Sequence, residues 1–130
     1  MPPTVKDIID IIESIAPVRL AESWDNVGLM IGRPASQVDK ILIGLDPTTS
    51  LLDEAVKLDA NLVITHHPVI FHPLKSVQLE QPDGQFIDKA IKSEINIISC
   101  HTNLDSAPHG VSDALADRIG LKETEPLVVH

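Results

Sequence analysis

Two short apolar runs constrain this chain most: residues 61–66 (Asn61-Leu-Val-Ile-Thr-His66) and residues 95–100 (Ile95-Asn-Ile-Ile-Ser-Cys100). Each reads as a strand buried on both faces, because apolar side chains follow one another without alternation. Between them, Phe86, Ile87, Ala90 and Ile91 recur at helical spacing. Residues 40–46 (Lys40-Ile-Leu-Ile-Gly-Leu-Asp46) form a similar run, and Leu51, Leu52, Ala55 and Val56 then share one helical face. Residues 27–32 read as a further strand. Strands alternating with helices predict an α/β fold, a mostly parallel sheet flanked by helices on both faces. After the first helix the expected order is β, β, α, β, α, β, α.

That first helix spans residues 4–15, where Val5, Ile8, Ile12 and Ile15 make a stripe widened by Ile9 and Ile11. Thr4 is the expected N-cap, with Asp7 three residues on, and Pro17 ends the helix. Pro68 and Pro73 make 67–76 a loop, and Gln81-Pro82-Asp83-Gly84 reads as a turn in an exposed stretch. A loop is expected from 101 to about 109, then a helix near 110–119 closed by Gly120. Leu127-Val128-Val129-His130 reads as the start of another strand.

At 130 residues the chain is expected to form one α/β domain over 1–130. A single cysteine leaves no internal disulfide framework and makes a reducing cytoplasm the expected compartment. No apolar run has a membrane-spanning length, and Met1-Pro2-Pro3-Thr4 lacks the features of a signal peptide. The net charge of −9 argues against nucleic acid as a partner, since the basic residues are scattered and form no phosphate-binding stripe. Trp24, Phe71 and Phe86 are too few for a base-stacking platform. An acidic protein that binds an anion needs a positive centre, and a divalent metal is the simplest.

Chemistry gathers after two of the predicted strands. His66 and His67 follow one, and His101 and Asp105 follow the other. Sites in open parallel sheets lie at the carboxyl ends of strands, so neighbouring strands would bring the four together. In an extended chain His66 and His67 would point to opposite sides. At a bend before Pro68 each could serve a different ion. Imidazole and carboxylate suit zinc, manganese, iron and similar divalent metal ions. Paired ions acidify a water and hold a substrate oxygen. His101 is a ligand, an acid–base group or a residue that orients a ligand.

The remaining candidates read more simply. Cys100 is a small buried apolar residue rather than a nucleophile paired with His101. Asp46 caps the following helix. Trp24-Asp25-Asn26 is a packed tryptophan with a polar turn. His72 and Lys75 are possible substrate-binding residues in the loop after the His-His pair, and His109 could meet an anion at the start of the last helix. The glycine-rich phosphate-binding patterns GxGxxG and GxxxxGK[ST] do not occur.

Three segments together resemble the NIF-three-like family, whose members are commonly named GTP cyclohydrolase I type 2 homologues. They are Glu22-Ser-Trp-Asp-Asn-Val-Gly-Leu29, Ile64-Thr-His-His-Pro-Val-Ile-Phe71 and Ser99-Cys-His-Thr-Asn-Leu-Asp105. The resemblance covers nearly the whole chain and matches the amino-terminal half of the family's two-half fold. It implies a dinuclear metal site and a homo-oligomer, a hexameric ring in full-length members. By position it implies His66, His67 and Asp105 as metal ligands, His101 beside them, and Lys75 as the lysine after the His-His-Pro loop. The family's remaining ligands, a His and a Glu four residues later, have no counterpart segment here. The implied function is a divalent-metal-dependent hydrolase acting on a nucleotide or another phosphate compound. The alternative is a non-catalytic metal-binding or interaction module.

Overall fold

The computed structural model describes residues 1–128. Four strands form one sheet: β1 (Gly28–Ile31), β2 (Ile41–Gly44), β3 (Leu62–Thr65) and β4 (Asn96–Ser99), in the order β1-β4-β3-β2. β2, β3 and β4 run parallel, with Val63 paired to both Leu42 and Ile97. β1 runs antiparallel to β4, so the sheet is mixed at one edge. Parallel strands need a crossover of roughly a dozen or more residues, usually a helix. Only the helix-free stretch 32–40 separates β1 from β2.

The sheet is covered on both faces, and the pleat decides which residues face which helices. On one face Ile31, Val63 and Ile97 pack with Leu52 and Ala55 of α2 (Thr49–Lys57) and with Phe86, Ile87 and Ala90 of α3 (Pro82–Lys92). Lys89 and Asp53 form an ion pair linking the two helices. On the other face Leu62, Ile98 and Cys100 pack with Val5 and the Ile8, Ile9 and Ile12 stripe of α1 (Val5–Ile15). α1 stops short of β2, leaving Ile43 exposed. An apolar groove of about 430 Å³ remains there between Ile12, Ile15, Ile43, Leu45 and Val111, and His66 lies in its wall.

Helix ends follow local chemistry. Thr4 and Asp7 cap α1 reciprocally, the Asp7 carboxylate accepting from Thr4 N at 2.7 Å and Thr4 Oγ1 from Asp7 N at 3.2 Å. α2 is capped by Thr48, which accepts from Leu51 N, and not by Asp46 as expected. Asp46-Pro47-Thr48 contains two residues of capping type, and the nearer one takes the position. α2 and α3 both feed the next strand through a left-handed residue, Asp59 (φ 53°) and Glu94 (φ 55°). Ala60 N then donates to Ala55 O and Ile95 N to Ala90 O, satisfying carbonyls at the helix ends. Left-handed backbone costs an L-residue about 1–2 kcal/mol, and glycine's extra unfolded freedom offsets about half of that. Glu94→Gly is therefore expected to stabilise the protein by about 0.5–1 kcal/mol, read as a higher denaturant midpoint.

Three further expectations are corrected. The segment after β4 is not all loop: Thr102–Ser106 forms a short helix, α4, whose single turn is too brief to leave a periodic apolar signal. Gln81-Pro82-Asp83-Gly84 is the start of α3, because a proline at the first helical position is pre-set for a helix. Leu127 and Val128 lie in a bend rather than a strand, and Val129 and His130 fall outside the described residues. The last helix, α5 (Val111–Arg118), ends as expected at Gly120 (φ 79°), with Leu121 N donating to Ala116 O. Among the described residues, no helix is long and apolar enough to cross a membrane.

Candidate metal centre

β3 and β4 are parallel neighbours, so their carboxyl ends share one rim of the sheet. At the end of β3 the chain bends: Thr65 Oγ1 donates to His67 O at 2.8 Å, and His67 N donates to Leu45 O at 3.0 Å. The bend cancels the alternation of an extended strand and sets the rings of His66 and His67 5.2 Å apart. At the end of β4, Cys100 N donates to Thr65 O, and His101 then heads α4. The His101 ring stands 5.2 Å from that of His66 and 5.5 Å from that of His67. One ring nitrogen from each of the three lies within 4.8 Å of the others. Asp105, one helical turn beyond His101, places Oδ1 3.4 Å from His66 Nε2.

Two more carboxylates stand behind this group. Asp46 Oδ1 lies 2.6 Å from His67 Nδ1, and Asp25 Oδ1 lies 2.9 Å from His101 Nδ1. Asp46 is more than half exposed, whereas the Asp25 side chain has no solvent exposure. Burial alone would raise the Asp25 pKa. Hydrogen bonds from the Thr102 hydroxyl, His101 and the backbone N–H groups of Thr102 and Asn26 outweigh it and bring the value down to about 2.

This depressed value gives Asp25 a pH signature. Its stabilising contribution is complete above the ordinary value of 3.8 and disappears as pH falls through about 2. The shift corresponds to about 2 kcal/mol. The metal-free protein is expected to lose that advantage over Asp25→Asn across this acid range. Denaturant titrations of both proteins at several acid pH values measure the gap; a constant gap would contradict it.

The donor set fits a divalent ion. Nitrogen and carboxylate oxygen converge without a thiolate, as suits zinc, manganese or iron(II). His66 Nδ1 is buried without a hydrogen-bond partner, so one nitrogen of that ring remains uncommitted. Cys100 takes no part: it is buried, and burial raises its thiol pKa to about 11.

The other candidates are dispersed. His72 packs edge-on against Phe71 at 4.6 Å, outside the imidazole cluster. Lys75 is exposed in the loop before α3. His109 N donates to the Asp113 carboxylate at 2.6 Å, so the anion at the start of α5 is the chain's own. Trp24 is 59% exposed rather than packed inside. It meets Phe71 edge-on at 6.1 Å, and both rings lie within 6.5 Å of His101. Residue spacing gave no sign of Asp25 or of Asn103. Asn103 is fully buried and ties α4 to the end of α1 by donating to Ala16 O at 2.8 Å. Asn103→Ala is expected to cost about 1 kcal/mol or more, read by denaturant titration, because it leaves that carbonyl without its partner.

The profile of Duf34/NIF3 (NGG1p interacting factor 3) matches residues 3–130. A Clostridium acetobutylicum protein named GTP cyclohydrolase 1 type 2 homolog is 42% identical over 95% of this chain and 46% of its own length. A Bacillus subtilis protein of the same name is 39% identical over 94% of this chain and 33% of its own. The chain thus spans a third to a half of these curated relatives. Among solved structures, the Bacillus cereus protein related to NIF3 superposes with a TM-score of 0.94 at 44% identity. That match covers 98% of this chain and 35% of the other. Reduced HcgD from Methanocaldococcus jannaschii superposes at 0.87 with 33% identity, covering 96% of this chain and 50% of the other. Profile, relatives and structures agree, and the chain belongs to the Duf34/NIF3 family.

Proposed function

We propose that this rim is a divalent-metal site serving a metal-dependent hydrolase that acts on a nucleotide or a related phosphate compound. The convergence of the His66, His67 and His101 nitrogens is the observation that carries it. In this reading His66, His67 and Asp105 hold the ions, two in a full site, and His101 stands beside them as a ligand or acid–base group. A bound divalent ion supplies Lewis-acid polarisation of a substrate oxygen and acidifies water. The chain's own residues bind and orient the ligand. The edge-on Trp24–Phe71 pair next to His101 offers a face to a flat ring, and exposed Lys75 and His72 are proposed to meet phosphate. The names of the curated relatives support a guanine nucleotide as the first compound to test.

Zinc present at about 100 times its dissociation constant is expected to stabilise the chain by about 2.7 kcal/mol, and a chelator to reverse this. Thermal unfolding with and without chelator reads the effect. Turnover of GTP that depends on added metal and disappears in Asp105→Ala supports the hydrolase. Equal turnover in chelated protein would overturn it.

One observation favours the second reading, a non-catalytic metal-binding or interaction module. The cavity bordering His66 is the apolar groove, whose walls offer almost no polar partner to a phosphate. Metal binding without turnover of any nucleotide tested would select this reading. Assembly into a homo-oligomeric ring belongs to either version and is supported by the same exposed groove. Light scattering on the purified chain tests it, a monomer at all concentrations counting against assembly.

A further inference from the structure

A histidine serves a metal or a substrate well only when the correct ring nitrogen faces it. The free nitrogen is set by the hydrogen bond on the other. Here the hydrogen bond comes from a segment far away in sequence. Asp25 Oδ1 lies 2.9 Å from His101 Nδ1 and also accepts from Asn26 N at 2.8 Å. Its Oδ2 accepts from Thr102 N at 3.1 Å and from the Thr102 hydroxyl. Thr102 Oγ1 in turn accepts from Glu22 N at 2.9 Å. Both carboxylate oxygens are thus engaged twice, and the group cannot rotate without breaking bonds to residues 101 and 102.

We propose that Asp25 is the positioning residue for His101. Its carboxylate holds the imidazole as the Nδ1–H tautomer and leaves Nε2, with its lone pair, for the space shared with His66 and His67. An ionised carboxylate can only accept, so the shared proton belongs to Nδ1. Burial makes the hold strong, because no water reaches the Asp25 side chain to compete. Asp46 bonds His67 Nδ1 in the same sense from an exposed position, so water can replace it there. In this arrangement His101 offers an electron pair, as a ligand or base does, rather than a proton.

The consequence for metal affinity rests on the proposed metal site, whereas the tautomer does not. The experiment separates the two. The metal-free chain is labelled with nitrogen-15 at histidine and studied above the histidine pKa range. Long-range proton–nitrogen correlation spectra assign each ring, with His101→Gln identifying the signals of His101. Zinc titration by calorimetry follows on the same samples. The wild-type protein is expected to show His101 protonated at Nδ1 and bare at Nε2. Asp25→Ala is expected to move His101 toward the Nε2–H form and to weaken zinc binding by about 10- to 100-fold. Asp25→Asn keeps an acceptor oxygen and is expected to retain part of both properties. Thr102→Val removes a donor to Asp25 while leaving the Asp25–His101 bond. It is expected to lower stability yet preserve the tautomer and the zinc affinity, which a merely structural role for Asp25 would not allow. Nε2–H in the wild-type protein, or an unchanged tautomer in Asp25→Ala, overturns the proposal. Should Asp25→Ala fail to fold, the wild-type spectrum and Asp25→Asn decide. The expected tautomer in a protein that binds no zinc would support the positioning role and overturn the metal site alone.

Discussion

His66→Ala is expected to bind zinc at least about 100-fold more weakly than the parent chain, while its metal-free melting temperature moves by only a few degrees. His66 is the point of contact between the two strand ends. Its ring lies 5.2 Å from both His67 and His101, and its Nε2 lies 3.4 Å from Asp105. Loss of a residue that merely orients a ligand weakens metal binding by about 10- to 100-fold, so loss of a proposed ligand such as His66 should exceed that. Stability responds less because two effects oppose one another. The variant loses a half-buried ring but also removes a buried nitrogen that has no partner in the protein. Zinc titration and thermal unfolding, run on the same sample, read both quantities. Unaltered zinc affinity would place the ion elsewhere.

The largest stability effect is expected from Ile97→Ala, about 2–5 kcal/mol. Ile97 is fully buried in β4, beside Val63 on the neighbouring strand and in one cluster with Leu52, Phe86 and Ala90. Truncation there removes transferred apolar area and leaves a cavity that a strand pinned between β1 and β3 cannot collapse. Domains of this kind have only about 5–15 kcal/mol in total, so the variant should lie near the edge of folding. The denaturant midpoint should fall with the slope unchanged. Ile97→Val, which keeps most of the volume, should cost only about 0.5–1.5 kcal/mol. Equal losses from the two variants would mean that this position is not packed as described.

What the sequence disclosed was what local pattern can carry. The buried strands β3 and β4 stand out as apolar runs, and the helices before them show their core-facing residues at helical spacing. The placement of His66, His67, His101 and Asp105 on one rim follows from those strands being parallel neighbours. Long-range features were hidden. β1 is antiparallel because of how its connection crosses the sheet, which its own residues do not announce. Asp25 resembles any aspartate beside a tryptophan in a turn, and its partners His101 and Thr102 lie 76 and 77 positions away. Asp46 reads as a cap because Asp-Pro-Thr before a helix suits either residue, and only the fold shows its carboxylate on His67. The single turn of α4 is held by tertiary bonds, among them that of Asn103 to Ala16, and so has no periodicity to read.

Elemental analysis tests the metal reading most directly. The protein is purified without added metal, beside His66→Ala and Asp105→Ala. A divalent ion is expected in stoichiometric amount on the parent chain after incubation with zinc and dialysis, and is expected to be lost from both variants. Equal metal content in all three proteins, or none in a folded parent chain, would contradict it.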